Sequence, residues 1–443
     1  MITSLLNILK ENQNIHAFNV KVVSKDVYQL YFVKQKLEMN REVVTEDYCV
    51  TIFCKQQVKG KDKMGKVSFN LYPSMSKDEI IAKIEEQISL CGYVLNDEYT
   101  LPKKMTLKAI TKDIAFGNDL SLKEAAFLAA DALFEADKFD KGYLNSSEIF
   151  IVSEDTKFYD SNGNNFQFMN LYGQIELVAT WCEKNEETEA YKFFEFDNLD
   201  LKFIQKQAND VILEASNRNK AKQTPLVNNC KVLLTKKYAE MYFRHFVNKL
   251  NNAHVYNHIS EYQPNQKIQE SNGRNDLISI RLEPIMAGSS KGRTFDDEGI
   301  VLKRLHVIEK GVVKSFWGGN SYSQYLNRPV HGTYENMIVN AGSLQNDDLE
   351  EENYLEVISL SDFDIDLVTG EFGSEIRLAY LYLKNKEKQI VTGGSISGNI
   401  YKSLDSVRFS NDTIQLNNYI GPEKVLLEKI NINQGKQNIW RYL

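Results

Sequence analysis

Three consecutive carboxylates, Asp296, Asp297 and Glu298, stand between Phe295 and Gly299. Such a group could hold a cation or meet a peptide amine. In an extended backbone successive side chains diverge to opposite faces, so the three cannot all converge on one point. The plain alternative is a turn ended by Gly299, with one Asp bonding its own backbone. A second candidate is the run Gly393 to Gly398, with Gly394 inside it and Asn399 after it. It has the G-x-x-x-x-G spacing of a phosphate-binding loop. Asn399 and Ile400 stand where Lys and Ser/Thr are required, so the nucleotide reading fails. What remains is a loop with glycines at tight backbone positions, and helix-start N–H groups behind it that could hold a carboxylate or a carbonyl. His254 and His258 sit four apart with Glu261 following, which on one helix would present two imidazoles to zinc. Asn251-Asn252 interrupts the helical pattern just before them, and no glutamate follows the first His as a base. They read as surface or hydrogen-bonded histidines, and His245 and His306 as packed or strand-surface ones. No local pattern marks a Ser–His–Asp or Cys–His arrangement, although such groups meet only in the fold. Neither a metal nor a cofactor is expected.

Two features of composition bound the function. The formal charge of -7 makes the chain a poor match for a phosphate backbone, so direct nucleic-acid binding is not expected. The short basic clusters Lys59 to Lys66 and Lys384 to Lys388 read as solvated turns. Five cysteines, Cys49, Cys54, Cys91, Cys182 and Cys230, form no C-x-x-C pair. Their odd count and scattered spacing argue for reduced thiols in the cytoplasm, each a small buried hydrophobe. The apolar start, Met1 to Leu9, lacks a basic leader and a cleavage site, so it reads as a helix packed on the body. No apolar run is long enough to span a bilayer.

The elements that must position these residues follow from patterning. At 443 residues the chain exceeds what one core serves, so two domains are expected, 1–225 and 226–443. Strands are predicted at 27–32, 49–53, 148–152 and 174–180. Capping boxes at Ser76/Glu79 and Ser121/Glu124 open two helices, the second Ala-rich and running to about Asp137. A third helix is predicted from about Leu199 to Asn219, ending in a polar stretch that Pro225 terminates. Beyond it one helix, Lys236 to Leu250, shows an aromatic-apolar face of Tyr238, Tyr242, Phe246 and Leu250. Strands then dominate: Val301, Leu302, Leu305 and Val307 alternate, and Glu309-Lys310-Gly311 turns the chain into a second apolar run, Val312 to Trp317. Gln345 to Asn353 reads as an acidic surface loop. Helices segregated from runs of strands make the fold class α+β: a mixed α/β N-terminal domain and a mainly antiparallel C-terminal one.

The segment from Thr294 to Tyr325 orders its parts distinctively. An acidic D-D-E-G turn leads to a basic-tipped strand, E-x-G, and a Gly318-Gly319-Asn320 break before Ser321-Tyr322. This resembles the C-terminal domain of the TldD/PmbA family, described as modulators of DNA gyrase and as peptidase-related proteins. The resemblance continues through Asn340-Ala341-Gly342, Leu355 to Phe372, Val391 to Leu404 and Pro422 to Ile430, and so covers most of residues 226–443. Over residues 1–225 only the turn Asp160-Ser161-Asn162-Gly163 stands out.

In that family the peptidase branch carries HExxxH on a helix after a V-V-L strand, and the PmbA/TldE-like branch lacks it. Counting from Val232-Leu233-Leu234, the motif's positions fall near Arg244-His245 and Lys249, and no HExxxH occurs elsewhere. Cations at ligand positions repel a divalent ion. The resemblance therefore implies a non-metal partner or scaffold subunit of a cytosolic peptidase that handles unfolded or small peptides. It would be inactive alone and form a homodimer, or a heterodimer with an HExxxH-bearing relative. In this reading Asp296, Asp297, Glu298, Gly393, Gly394, Gly398 and Asn399 shape a shared peptide cleft. The alternatives are a non-catalytic interaction protein that modulates gyrase or a toxin–antitoxin system by binding, and a stand-alone peptidase with an unrecognised site.

Overall fold

Three β-sheets carry the chain in its computed structural model, which describes residues 1–107, 110–111, 120–349, 353–384 and 387–434. The fold is α+β. The first sheet gathers β1 (Ala17–Val33), β2 (Lys36–Val58), β3 (Lys61–Leu71), β4 (Leu95–Asp97), β5 (Ile110–Thr111), β6 (Gly142–Asp160), β7 (Asn165–Glu183) and β8 (Glu186–Phe196). Its order is β4-β3-β2-β1-β6-β7-β5, with β8 also on β7, and every pairing but β5–β7 is antiparallel. The predicted strands are only the middles of these. The outer part of β2, from Lys36 to Val44, is almost wholly exposed, and its apolar residues Leu37, Met39 and Val44 mark no buried face. Backbone pairing extends it where side-chain burial does not.

Four helices accompany this sheet: α1 (Ile2–Glu11), α2 (Lys77–Cys91), α3 (Leu122–Ala136) and α4 (Leu201–Lys220). Leu5 and Leu9 anchor α1 in a core shared with α2 and strands β1 to β3. Both capping boxes are present. Ser76 N–H donates to Glu79 Oε2 at 2.7 Å, and Ser121 N–H donates to Glu124 Oε2 at 2.8 Å. Ala125, Ala126, Ala129 and Ala130 are all buried, which lets α3 approach both β6 and α4.

The polar stretch before Pro225 differs from its reading. Asn217 to Lys220 completes α4, and β9 (Lys222–Gln223) then pairs in parallel with a strand of the second half. Thr224 N–H and Oγ1–H both donate to Thr392 O, which ties the segment down.

The second half holds β10 (Val227–Thr235), α5 (Lys237–Lys249), α6 (Asn252–Tyr256), β11 (Ile280–Glu283), β12 (Leu305–Glu309), β13 (Val312–Val313) and α7 (Asn320–Tyr325). There follow β14 (Asn336–Val339), β15 (Tyr354–Leu360), β16 (Glu371–Tyr382), β17 (Lys388–Thr392), β18 (Ser395–Asn399), β19 (Arg408–Phe409), β20 (Thr413–Leu416), β21 (Tyr419–Pro422) and β22 (Lys424–Asn433). One sheet runs β15-β10-β22-β18-β16-β17-β9, and a further β15–β16 pairing closes part of it on itself like a barrel. The other runs β13-β12-β11-β14-β21-β20.

The predicted hairpin at Glu309-Lys310-Gly311 is there. Lys310 and Gly311 both take positive φ, the two-residue turn whose twist suits a hairpin. Its strands are shorter than read, because Val301 instead bridges Phe295 across the acidic turn. Helix α5 shows the predicted apolar face, wider than read: Ala239, Phe243 and Val247 are buried beside Tyr238, Tyr242 and Phe246, while Lys237, Glu240, Arg244 and Asn248 line the other side. Of the Gln345 to Asn353 loop, Asn346–Leu349 is a 3-10 turn and residues 350–352 lie outside the described residues. So do 385–386 of the Lys384 to Lys388 cluster.

Candidate functional site

The acidic turn is a clasp between the two halves. Asp296 is 2% exposed. Its Oδ1 accepts from Glu298 N–H and Ile300 N–H, and its Oδ2 accepts from Thr333 N–H. The self-bonded Asp of the plain reading is therefore correct, but its carboxylate is buried and only the outer Asp297 is well exposed to solvent. Burial pushes the Asp296 carboxyl up to about 6, against those backbone donors, which favour the ionised form. Asp297 points outward and meets Lys21 of β1 at 3.0 Å. Glu298 meets Lys66 of β3 at 2.9 Å and accepts from Asn320 N–H at 2.6 Å. Lys66 is thus a clasp residue and not part of a solvated turn. Phe295 packs on Phe158 and Phe166, and a Cβ on Gly299, at φ +78, would lie 2.4 Å from the Phe158 ring.

A small pocket of about 10 Å³ lies beside the clasp, lined by Asp160, Ser161 and Asn162 from the first half and by Glu298 and Asn320 from the second. The fold thus brings together the two turns that stand out in the sequence. Lys21 and Lys66 carry no spacing signal, because lysines along exposed strand faces are ordinary.

The three positions Arg244, His245 and Lys249 separate in space. Arg244 turns to the surface, bonding Glu240 and donating to Glu335 O. His245 and Lys249, one helical turn apart, share a buried face. His245 Nε2 lies 2.8 Å from the Tyr401 hydroxyl. Its other ring nitrogen is buried beside the Ile365 backbone, without a hydrogen bond of good geometry. Burial, reinforced by the Lys249 ammonium, lowers the His245 imidazole to about 4, opposed by the Ile365 backbone, Asp364 and Asp366. Lys249 Nζ–H donates to Ile259 O at 3.2 Å and lies over the Tyr262 ring. Burial also lowers its own affinity for the proton. These residues do not fit a divalent metal. They offer one imidazole already turned to a hydroxyl, and an ammonium, which repels a divalent ion. Among the described residues no group of three or more His, Cys, Asp or Glu is arranged to hold a metal ion.

The Gly-rich run is not a loop throughout. Gly393 and Gly394 make a turn at positive φ, but Gly398 and Asn399 lie in β18, with Gly398 opposite Phe372. A Cβ there would press on Ile430 and Phe372. Asn399 accepts from Tyr401 N–H and donates to Thr369 O, so it caps the short 3-10 turn Ile400–Ser403 rather than leaving N–H groups open to a ligand. Tyr401 in that turn is the His245 partner, which places this segment beside α5. Tyr401, Tyr262, Asp364 and Asp366 are distant in sequence, and no spacing links them to the helix.

His254 and His258 do not share a helix face. Helix α6 ends at Tyr256, His258 takes φ +59, and His254 Nδ1 lies 2.7 Å from Asn248 O. His306 is on the exposed face of β12. The cysteines are unpaired: Cys54, Cys91 and Cys230 are buried, while Cys49 and Cys182 are half-buried and so only partly fit the reading as core residues. No helix is long and apolar enough to cross a membrane among the described residues.

The sequence model of the PmbA/TldA metallopeptidase C-terminal domain matches residues 227–434. No curated protein matches the chain in sequence. Among solved structures, TldE from Thermococcus kodakarensis superposes with a TM-score of 0.76 at 13% identity, over 97% of this chain and 100% of that one. A Thermotoga maritima protein, named for a suggested role as modulator of a DNA gyrase, gives 0.77 at 15% identity, over 98% and 100%. A similarly named protein from Bacteroides thetaiotaomicron gives 0.78 at 18% identity, over 98% of each chain. At these identities the likeness is one of fold. Residues 227–434 thus match the C-terminal domain of the PmbA/TldD family, and nearly the whole chain takes the fold of these structures.

Proposed function

We propose that this protein is a PmbA/TldE-like, non-metal partner or scaffold subunit of a cytosolic peptidase acting on unfolded or small peptides. In this reading it dimerises, with itself or with an HExxxH-bearing relative, and residues 1–225 and 226–443 are its two domains. The observation that carries it is the buried Lys249 ammonium beside His245 on α5, where a metal-binding relative would need ligands. Without a metal nothing at this place lowers the pKa of a water to make a nucleophile. The outer surface around the acidic clasp and the adjoining Asp160–Asn162 turn is the candidate peptide-contacting surface on this chain.

The test is peptide hydrolysis by the protein alone, by an HExxxH relative from the same organism alone, and by the two mixed. The expected result is background cleavage alone, co-elution on mixing, and a rate above that of the relative. A relative whose rate and elution ignore this chain would overturn the partner reading. The second reading, a binding protein that modulates gyrase, draws on the names of two structural neighbours. Its mark would be inhibition of DNA supercoiling by the chain alone.

A further inference from the structure

The first sheet buries one face under its helices. Ile149 and Ile151 of β6, Ile175 and Leu177 of β7, and Ala190 and Phe194 of β8 join the core beneath α3 and α4. Side chains alternate along a strand, so Glu148, Glu176, Tyr191 and Phe193 stand on the opposite, outer face. The second half covers one end of that outer face. There Asn170 Nδ2–H donates to Ser290 O, and Lys291 pairs with Glu195 at 3.0 Å. Further along β8 the face is open: Tyr191 is 60% exposed and Phe193 45%.

The open part sets aromatic rings around negative charge. Glu148 and Glu176 lie directly opposite each other across β6 and β7, and Phe193 lies opposite Glu176. The Tyr191 hydroxyl donates to Glu176, and exposed Glu189 stands two residues along the same face of β8. Among the described residues none of these three carboxylates is in an ion pair. Like charges directly opposite in an antiparallel pair destabilise it, so a cation placed between them would be stabilising. The neighbouring cations of the chain are committed elsewhere. Lys25 pairs with Glu154, and Lys291 with Glu195. The Arg41 guanidinium lies 5.6 Å from the Tyr31 ring and donates to the Tyr31 hydroxyl at 3.0 Å. The Lys34 ammonium lies 5.0 Å from the Tyr143 ring.

We propose that this face docks an unstructured peptide through its arginine side chains. Opposing Cβ atoms on paired strands are about 4.5–5.5 Å apart, so Glu148 and Glu176 can reach one guanidinium. Its five N–H donors satisfy both carboxylates in charge-assisted bonds, and its plane rests on the exposed Phe193 and Tyr191 rings. A lysine brings the charge without the plane or the fork, and is held less well. An acidic peptide or a phosphate chain is repelled. In an extended peptide, arginines at alternate positions face one side, so a second one can meet Glu189. The inference deepens the peptide-handling reading and rests on it, by naming the residue the peptide carries. It concerns binding to this chain alone, so it can fail while the partner reading stands, and the reverse.

The experiment is fluorescence-anisotropy titration of the full chain with a dye-labelled, end-capped Gly-Ser decapeptide carrying arginine at three alternate positions. Copies carry lysine, glutamate or citrulline there, the last keeping the shape of arginine without its charge. The arginine peptide should bind, the citrulline copy at least about tenfold more weakly, the lysine copy between them, and the glutamate copy not at all. The pair Glu148→Gln and Glu176→Gln should weaken the arginine peptide by about tenfold or more, and Phe193→Ala should weaken it as well. Removing two carboxylates elsewhere, by Asp78→Asn and Glu371→Gln, should leave it unchanged, which separates the face from the net charge of the chain. Far-ultraviolet circular dichroism checks that the variants are folded, and the comparison of peptides on the unaltered chain decides the matter should a variant fail to fold. No binding of the arginine peptide into the millimolar range, or equal affinity for the citrulline copy, would overturn the proposal. So would a fall in mass by light scattering for Tyr191→Ala with Phe193→Ala when the unaltered chain binds no peptide, which would assign the face to a second copy of the chain.

Discussion

The acidic clasp and the α5 cluster each crowd charged or titratable groups into one place, and they resolve the crowding in opposite ways. In the clasp every carboxylate is given a separate partner: backbone N–H groups for Asp296, Lys21 for Asp297, Lys66 for Glu298. Its two outer carboxylates remain partly in water. On α5, His245 and Lys249 are both buried, and burial itself suppresses their charge. A turn can distribute side chains over several directions, whereas a helix places i and i+4 on one face. The clasp therefore joins two halves of the chain, and the cluster closes a buried face of α5.

The largest expected effect tests whether the clasp depends on its buried member. Asp296→Ala leaves three backbone N–H groups without their acceptor, at about 1–3 kcal/mol each. The total loss should reach about 3 kcal/mol or more, read as a lowered urea midpoint. Asp297→Ala, in the same turn but with a side chain 65% exposed, should cost less than about 1 kcal/mol. Equal losses would show that the turn works as a simple salt bridge.

Gly398→Val comes next. It forces a branched side chain against Phe372 and Ile430, an overpacking worth about 1–3 kcal/mol. Any fall in a partner's peptide hydrolysis should then match the loss of folded protein. A fall at unchanged stability would restore this glycine to a substrate surface.

Lys249→Met sharpens the other side of the comparison. Removing a buried ammonium while keeping its apolar stem should change stability by no more than about 1 kcal/mol, in either direction. It should also raise the His245 pKa, because the Lys249 charge helps to lower it. Imidazole signals followed by NMR against pH give the answer. A titration unmoved from about 4 would show that burial alone sets it.

The smallest effect is a difference in pH slope, and the two regions should oppose each other. The folded pKa of Asp296 is raised, so its contribution is full below the unfolded value and lost as pH rises through about 6. The folded pKa of His245 is lowered, so its contribution is present above the unfolded value and lost as pH falls through about 4. Between these limits acidification strengthens the clasp and weakens the cluster. Relative to the unaltered protein, Asp296→Asn should lose more stability on going from pH 6.5 to 4, and His245→Gln should lose less. Denaturant midpoints across that window decide it, and parallel slopes would remove titration from the comparison.

Local chemistry was legible in the residues. Ser76/Glu79 and Ser121/Glu124 satisfy orphan helix donors within four residues, so two helix starts could be located without knowing the fold. The Lys310-Gly311 turn, the burial of Leu5 and Leu9, and the family's ordered motifs over the second half are likewise matters of short spacing. So is the poor fit of Arg244 and Lys249 to a divalent metal, since residue type alone decides whether a side chain can coordinate. Strand ends were not legible, because exposed polar backbone pairs without leaving an apolar pattern. The tertiary structure alone decided that Asp296 is buried while Asp297 is not, that Arg244 leaves its two companions, and that Gly398 belongs to a strand. It also set Tyr401 against His245 and Glu148 opposite Glu176. Each of these depends on which distant segment supplies the partner, and sequence separation of tens to hundreds of residues carries no periodicity from which such a meeting can be read.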